Sequence, residues 1–359
     1  MHAVVAGVIA AFATYFLTPL AIQLAGRLSF FDLPAGYKGH RQATPYLGGT
    51  AIVAGMLTGI AAGGLHHHYV LVVVCVVLVA LMGTVDDKVN LPILVRVTVE
   101  IAVGLTLALN GLGWQVFHIG ALNDALTVMW VLGVMNAFNL MDNMDGAAAT
   151  TAATSAIGAA VIALISNQRG PATLCLATAG ACIGFLPRNL ANPARIFMGD
   201  GGSLPLGLLV SSMAMTSVTQ TYLGPKGVII GALLVGLVIF DTTLVTISRT
   251  RAGASVFAGG RDHTTHRLAR VMGSPRRVAL TLASVQLLLC GLTIGVAQAG
   301  GGWVLASGGL AVVFGVLMLW RFETSLRLKP TAIAETVSSA LAAELTPADR
   351  AAPRVTGVI

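Results

Sequence analysis

Apolar stretches long enough to cross a membrane repeat along most of the chain, separated by short polar segments. A membrane-spanning helix needs about 20 consecutive, mostly apolar residues. By this criterion the pattern predicts about eleven transmembrane helices and an all-α, polytopic membrane protein. The predicted spans are residues 3–25, 47–64, 69–85, 91–112, 118–137, 147–165, 172–188, 203–220, 227–247, 278–298 and 303–320.

Composition supports the membrane assignment. Of 359 residues, 56% are hydrophobic and only 10% are charged, and the mean hydropathy is +0.85. Soluble domains carry about 25% charged residues, so a chain this apolar could not hide its surface in water. We expect one membrane domain at residues 1–327, followed by a partly disordered cytoplasmic tail at 328–359.

The basic residues are distributed unevenly between the two ends of the predicted spans. Every Lys and Arg except Arg169 and Lys226 falls in the loops and tail of one side. Because basic residues collect on the cytoplasmic side, we expect an N-terminus outside and a C-terminus inside the plasma (inner) membrane. Topology, together with an anionic lipid or substrate, then explains the net charge of +7. A nucleic acid partner is not expected.

A polar segment, NAFNLMDNMDG at residues 136–146, interrupts the apolar pattern. Polar and acidic groups at the edge of a span tend to mark functional sites. Asn136, Asn139, Asp142 and Asp145 are spaced by three, which keeps neighbouring members on adjoining parts of one helical surface. The alternative is a simple helix end, capped by these residues and turned at Gly146. Two amides and two carboxylates together favour a site.

Three further acidic residues, in two segments, also follow or precede spans. Asp86 and Asp87 are adjacent, and neighbouring carboxylates repel unless a cation or a proton intervenes, which indicates a divalent metal or a raised pKa. The alternative is a solvated helix end balanced by Lys88. Asp200 precedes a glycine-rich helix start with Ser203 as the expected N-cap. Exposed amides there would attract phosphate, and Asp200 could hold a bridging Mg²⁺.

Two basic loops complete the candidate site. The segment at 249–268 ends in RDHTTHRL, whose histidines at i and i+3 could clamp an anionic substrate together with neighbouring arginines. Its alternative role is a topological anchor. An earlier loop at 37–49 carries three more candidate phosphate ligands, Lys38, His40 and Arg41.

The positions of the carboxylates separate an enzyme from a transporter. Ion-coupled transporters usually place ionisable groups near the middle of the bilayer. Here only Glu100 is predicted at mid-depth, whereas the other intramembrane carboxylates lie near the cytoplasmic ends. This distribution favours an enzyme that joins a soluble substrate to a lipid, with a secondary transporter as the alternative.

In order along the chain, these motifs resemble those of the polyprenyl-phosphate N-acetylhexosamine-1-phosphate transferase superfamily, in particular the undecaprenyl-phosphate N-acetylglucosamine-1-phosphate transferase branch. The resemblance extends from about Asp32 to Leu268, through DLP, HRQATPYLGG, DD, NAFNLMDNMDG, PARIFMGDGGS, FDT and RDHTTHRL. It implies transfer of a sugar 1-phosphate from a UDP-sugar to a polyprenyl phosphate, with release of UMP. The implied cofactor is Mg²⁺, with Mn²⁺ as the alternative ion.

The resemblance also implies residue roles. Asp86 and Asp87 would serve the lipid phosphate or the metal, and Asp200 would be the chief Mg²⁺ ligand. The nucleotide would be held by Asn139, Asp142, Asp145, Asn189 and Phe197, with Phe197 stacking on uracil. The sugar or diphosphate would meet His263, His266 and Arg267.

RDHTTHRL resembles the branch that uses UDP-N-acetylglucosamine or a related donor. The branch that transfers phospho-N-acetylmuramoyl-pentapeptide has three consecutive histidines at this place and is the alternative. The implied partners are therefore a UDP-sugar, a polyprenyl phosphate and the membrane, and a homodimer is compatible with this reading. One-step transfer and a covalent aspartyl intermediate both remain open.

Overall fold

The computed structural model describes residues 1–32, 43–219, 224–256, 260–299 and 301–325, and within them the protein is almost entirely helical. One short antiparallel pair, β1 (Phe31–Asp32) and β2 (Thr44–Pro45), aligns Phe31 with Pro45. A 3₁₀ turn at His67–Tyr69 precedes α3. The helices are α1 (His2–Arg27), α2 (Gly48–Gly63), α3 (Val70–Val89), α4 (Ile93–Leu109), α5 (Gly120–Met141), α6 (Ala147–Ile165), α7 (Arg169–Asn189), α8 (Asp200–Thr219), α9 (Pro225–Leu234), α10 (Gly236–Arg251), α11 (Thr264–Met272), α12 (Pro275–Ala299) and α13 (Gly301–Ser325).

The all-α membrane architecture is confirmed. In the described part of the chain, eight helices are long and apolar enough to span a membrane, and α9 with α10 would add a ninth. Every predicted span coincides with a helix or a pair of helices. However, α2 and α4 have only 16 and 17 residues, fewer than the roughly 20 of a straight span. The number eleven and the orientation therefore stay predictions, and the expected tail at 328–359 lies outside the described residues.

The span expected at 227–247 is broken rather than continuous. Its halves, α9 and α10, meet at an angle of 80° after Val235 leaves the helical conformation. A break inside a membrane must have its freed backbone groups satisfied by protein. Gln286 of α12, which is fully buried, does this by donating to Leu234 O (2.8 Å) and accepting from Leu237 N–H (3.2 Å). A side chain distant in sequence thus stabilises the bend.

Helix α8 is the centre of the bundle, and its apolar window is entirely buried. Its first turn is contacted closely by α2 and α3 because both carry glycine there. A Cβ at Gly49 would lie 2.2 Å from Gly202 N, and a Cβ at Gly83 would lie 2.3 Å from Asp200 O. Small residues permit such close helix packing in membranes. Two glycines therefore fix where the N-terminal end of α8 sits.

Candidate active site

The N-terminus of α8 is held by a carboxylate from another helix. Asp87, near the end of α3, accepts hydrogen bonds from the backbone N–H groups of Asp200 (2.8 Å) and Gly201 (3.0 Å). Gly199 enters this turn with φ +73°, and a Cβ there would lie 2.5 Å from Asp87 Oδ2. Asp87 therefore caps α8 from outside its own sequence neighbourhood.

This arrangement corrects two expectations about the glycine-rich turn. The amides expected to be exposed for phosphate already donate to Asp87. Ser203 is also not the N-cap, because α8 begins at Asp200 and the Ser203 N–H donates to Gly199 O (2.9 Å) inside the first turn. The pattern of Gly and Ser located the helix start, but the expected N-cap, Ser203, lies inside the first turn.

The Asp200 side chain lies between an amide and a guanidinium. Asn139, in the last turn of α5, donates through Nδ2 to Asp200 Oδ1 (2.6 Å) and to Ser203 Oγ (3.1 Å). Arg96 Nη1 lies 3.2 Å from Asp200 Oδ2. Asn136, one turn earlier on α5, donates instead to Glu100 Oε2 (2.6 Å). Of the two asparagines, only Asn139 thus joins the carboxylate cluster.

Arg96 is the residue that the sequence analysis missed. Its Nη1 also lies 3.1 Å from Asp86 Oδ2, so one guanidinium pairs with both Asp86 and Asp200. Asp86 is buried, and its other oxygen accepts from Leu91 N–H (2.6 Å). In the sequence, Arg96 is only one of the basic residues that indicate the orientation of the chain in the membrane. One feature of the sequence could have identified it: an arginine in the second turn of an apolar helix, the helix that follows the one with the paired carboxylates.

Asp86 and Asp87 therefore contact different helices, as expected for neighbouring side chains that diverge by about 100° on a helix. Asp86 turns toward Arg96 on α4, and Asp87 turns toward α8. Lys88, expected as the balancing charge if the pair were merely a solvated helix end, lies over the ring of Phe30 at 5.8 Å. The described contacts favour a site over that alternative.

The acidic loop after α5 approaches the same turn. The Asp142 carboxyl lies near Gly199 N–H, and burial together with the charges of Asp200 and Asp87 raises its pKa well above the usual value. Burial raises the pKa of Asp145 to about 6. Asp87, Asp142 and Asp200 thus lie close enough to repel one another. Such a cluster is suited to a bound cation or to protonation of one member.

Asn189 is the last residue of α7, and Phe197 lies in the segment that leads from α7 into α8. Asn189 is buried; its Oδ1 accepts from Gly146 N–H (2.7 Å), and its Nδ2 donates to Ile196 O (3.0 Å). The Phe197 N–H donates to Pro45 O (2.8 Å), and its ring packs edge-on against Tyr46 with centroids 6.3 Å apart. Asn189 therefore connects the acidic loop that ends at Gly146 with the segment that contains Ile196. Its contact with a nucleotide stays a prediction.

The histidine segment is organised by Asp241 of α10. Asp241 Oδ2 lies 2.8 Å from His263 Nδ1, and Asp241 Oδ1 accepts from Thr264 N–H (2.7 Å), which is the first residue of α11. Arg249 pairs with Asp262 through two bonds, at 2.8 and 3.0 Å. This network orients His263 and leaves it buried.

Arg267 is fully buried and connects α11 to its surroundings. Its guanidinium donates to Asp262 O (2.8 Å), Ser248 Oγ (2.8 Å) and Glu323 Oε1 (3.0 Å). The last of these bonds attaches α13, which is otherwise mostly unburied. Direct contact of His263 or Arg267 with substrate stays a prediction, since both side chains are engaged within the protein.

Like the Thr264 hydroxyl in the same segment, His266 has unused hydrogen-bonding capacity. Its Nδ1 has no partner within the described residues. Burial, followed by the nearby charges of His263 and Arg261, lowers the pKa of His266 to about 4. His266 is therefore neutral at pH 7. Its neighbour Thr265 donates to Asn143 Oδ1, which joins the histidine helix to the acidic loop.

The structure thus assembles most of the candidate residues at one end of the bundle. Asp86, Asp87, Asn139, Asp142 and Asp200 meet directly or through Arg96. Asn143 with Thr265 brings the histidine segment to the same end. The three candidate phosphate ligands lie outside the described residues: Lys38, His40 and Arg41.

The donor chemistry fits Mg²⁺, although not as a closed protein cage. Mg²⁺ prefers carboxylate oxygens and is usually held by one or two of them, with waters and substrate phosphates completing its shell. Across the described ranges, no three His, Cys, Asp or Glu side chains are grouped to hold one ion. The joint role of Asp86, Asp87 and Asp200 as metal ligands therefore stays a prediction. Asp200, with Asp87 beside it, remains a fitting pair, and metal binding itself stays a prediction.

Comparison with known proteins identifies the family. Residues 69–218 match the family described as glycosyl transferase family 4. The chain is 30% identical over 276 residues to the probable undecaprenyl-phosphate N-acetylglucosaminyl 1-phosphate transferase of Bacillus subtilis, covering 74% of this chain and 76% of that protein. It is also 30% identical over 315 residues to the decaprenyl-phosphate N-acetylglucosaminephosphotransferase of Mycobacterium tuberculosis, covering 77% and 78%.

A shorter part of the chain is similar to a phospho-N-acetylmuramoyl-pentapeptide-transferase. The chain is 39% identical over 145 residues to the phospho-N-acetylmuramoyl-pentapeptide-transferase of Mycolicibacterium smegmatis, covering 40% of this chain and 38% of that protein. The similarity over most of the chain is to N-acetylglucosaminyl transferases. The chain therefore belongs to glycosyl transferase family 4, in the group of polyprenyl-phosphate N-acetylglucosamine-1-phosphate transferases.

Proposed function

We propose that this protein transfers N-acetylglucosamine 1-phosphate from UDP-N-acetylglucosamine to a polyprenyl phosphate and releases UMP. The observation that carries the proposal is the cluster of Asp87, Asp200, Asn139 and Arg96 at the N-terminus of the buried helix α8. The names of the relatives support the sugar and the lipid acceptor. The positive-inside rule supports a site on the cytoplasmic side of the plasma membrane.

The chemistry is the meeting of two anions. An oxygen of the lipid phosphate attacks the phosphorus next to the sugar, and the bond from that phosphorus to the UMP oxygen breaks. A lipid phosphate is already ionised at neutral pH, so the step needs charge screening more than a strong base. Bound Mg²⁺ would supply part of that screening at Asp200 and Asp87.

The residues around Asp200 hold it in one orientation. Asp87 fixes its backbone, Asn139 donates to Oδ1, and Arg96 pairs with Oδ2. Arg96 also places a positive charge within reach of the diphosphate. Since oriented charges that need no reorganisation are a major source of rate acceleration, this rigidity serves the transfer itself.

The nucleotide and sugar lie, in this proposal, between the acidic loop and the histidine helix. Phe197 would stack on uracil, and Asp145 would accept hydrogen bonds from the nucleotide. Neutral His266 would donate to the sugar, because its Nδ1 has no partner within the described residues. Asn143 and Thr265 set the distance between these two elements.

The direct test is UMP release by the purified protein, with undecaprenyl phosphate, Mg²⁺ and a panel of UDP-sugars. We expect turnover with UDP-N-acetylglucosamine, formation of a lipid-linked sugar diphosphate by mass spectrometry, and a loss of about 10² to 10⁴-fold in turnover with the Asp200→Asn variant. Preference for UDP-N-acetylmuramoyl-pentapeptide would instead assign the protein to the branch of the local mycobacterial match. Absence of UMP with every donor would overturn the proposed function.

A further inference from the structure

A second cleft, separate from the carboxylate cluster, opens at the same end of the bundle. It has a volume of about 840 Å³ and lies between the end of α1, the end of α7, the start of α12 and residues 191–195. Three arginines line it: Arg188, Arg195 and Arg276. Its described lining includes no carboxylate. The cleft therefore concentrates positive charge with nothing of its own to neutralise it.

The arginines keep most of their donors available. Arg188 Nη1 donates to Tyr15 O (2.8 Å), and its guanidinium lies 4.2 Å from the centre of the Tyr15 ring. Arg276 donates one bond, from Nε to Leu190 O (2.8 Å). A guanidinium has five N–H donors, so these bonds leave several free. For Arg195, no hydrogen bond or ion pair of the side chain occurs among the residues that the structure describes.

One wall of the cleft belongs to a helix that faces lipid. Helix α1 exposes Phe12, Tyr15, Phe16 and Leu20, a surface that only hydrocarbon could cover in a membrane protein. The remaining cleft lining is largely apolar and includes Pro19, Ile22, Ala191 and Pro193. A ligand that combines a phosphate with an apolar body matches both parts. Basic pockets between membrane helices are known to bind anionic lipid head groups.

We propose that this cleft binds the phosphate of an anionic glycerolipid of the membrane. The arginines would contact the head group while the acyl chains lie along α1. Bidentate N–H groups make arginine well suited to phosphate oxygens. The site is distinct from the acceptor lipid's place in the proposed transfer, which needs the carboxylate cluster at α8.

The cleft also touches the segment that supports the transfer site. Arg188 directly precedes Asn189, the residue that joins the two loops, and Arg195 N–H donates to Arg188 O (3.1 Å). Two residues after Arg195 comes Phe197. A lipid held by these arginines would therefore stiffen the segment that carries Phe197 into α8.

Binding is measured on the purified, delipidated full chain in neutral detergent. Native mass spectrometry counts bound dioctanoyl-phosphatidylglycerol against dioctanoyl-phosphatidylcholine as the zwitterionic control. We expect saturable binding of phosphatidylglycerol only, and a loss of apparent affinity of about tenfold or more in the double variant Arg195→Gln/Arg276→Gln. Gel filtration checks that the variant is folded, and Arg195→Gln alone, which breaks no bond, should show an intermediate loss.

The matched control removes two arginines that do not line the cleft, Arg277→Gln/Arg321→Gln, both exposed at the same end. It should bind within about twofold of the wild type. Equal losses in both double variants would mean general surface charge and would overturn the proposal. Competition arms with inorganic phosphate and UMP distinguish the source of the phosphate: displacement of phosphatidylglycerol by either at equal concentration would assign the cleft to a soluble anion instead. None of these readouts depends on transferase activity.

Discussion

Asp87→Asn tests whether the carboxylate that caps α8 holds the reactive end of the bundle in place. Both oxygens of Asp87 accept backbone N–H groups of the first turn, from Asp200 and Gly201. Asparagine offers one acceptor oxygen, and its Nδ2 would face an N–H group that is itself a donor. At least one amide therefore loses its partner, and the negative charge at the helix N-terminus disappears.

The expected cost follows from these contacts. A hydrogen bond to a charged group contributes about 1.5 to 3 kcal/mol, and a carboxylate at a helix N-terminus contributes about 0.3 to 2 kcal/mol. Their loss should destabilise the protein by about 2 to 5 kcal/mol and lower its apparent Tm. Because Asp200 is the first residue of α8, its side chain would shift with the amide. A displacement of about 1 Å can cost roughly 10²-fold in rate, so kcat/KM should fall at least that far.

Glu100→Gln is the matched control, since it makes the same acid-to-amide change inside the same bundle. Glu100 is buried, and its Oε2 accepts from Asn136 Nδ2 (2.6 Å), a bond that the glutamine oxygen can keep. We expect less than about tenfold loss of kcat/KM from this variant. Both variants are assayed by UMP release and by thermal unfolding in one detergent. The capping role would be refuted if Asp87→Asn had the kcat/KM and Tm of the wild type. It would also be refuted if Glu100→Gln lost more kcat/KM or Tm than Asp87→Asn.

The remaining predictions concern the metal, the arginine, the sugar and pH. Asp200→Asn should stay folded but lose about 10² to 10⁴-fold in turnover across an Mg²⁺ titration, whereas wild-type activity in EDTA would contradict metal dependence. Arg96→Lys should lower kcat/KM because one ammonium must replace both Nη1, which pairs with Asp86 and Asp200, and Nη2, which donates to Asn139 Oδ1 (3.4 Å). An unchanged value would show that any cation suffices. UDP-glucose should be used roughly 10²-fold less efficiently than UDP-N-acetylglucosamine, a ratio that His266→Ala should reduce. Burial raises the pKa of Asp145 to about 6, so its carboxylate ionises as pH rises through that value. Calorimetry with uridine, which has no phosphate that titrates in this range, should then show tighter binding above about pH 6 than below it, and Asp145→Asn should flatten the profile.

Several features of this protein could be read from the sequence because their causes are local. Apolar runs of spanning length predict helices directly, and each run coincides with helical structure. Polar residues at the ends of those runs are conspicuous, so Asp86, Asp87, Asn139, Asp142 and Asp200 could be selected without coordinates. The order of the motifs was specific enough to suggest the family, which the relatives confirm.

The roles of individual side chains required the tertiary structure. Local spacing placed the helix start at Ser203, whereas α8 begins at Asp200 because Asp87 of another helix caps it. The break after Val235 is stabilised by Gln286, about fifty residues later. Neither partner can be inferred from the neighbouring sequence.

Arg96 illustrates the same limit most clearly. By sequence alone it is one basic residue among several at the ends of spans, and the positive-inside rule accounts for it fully. In the folded chain it lies between Asp86 and Asp200, which are separated by more than a hundred residues. Hydropathy and helix periodicity depend on neighbours along the chain, so the sequence determined which segments are helices and which end carries the chemistry. The pairing of charges depends on how helices pack, which small residues such as Gly49 and Gly83 decide by allowing close contact at α8.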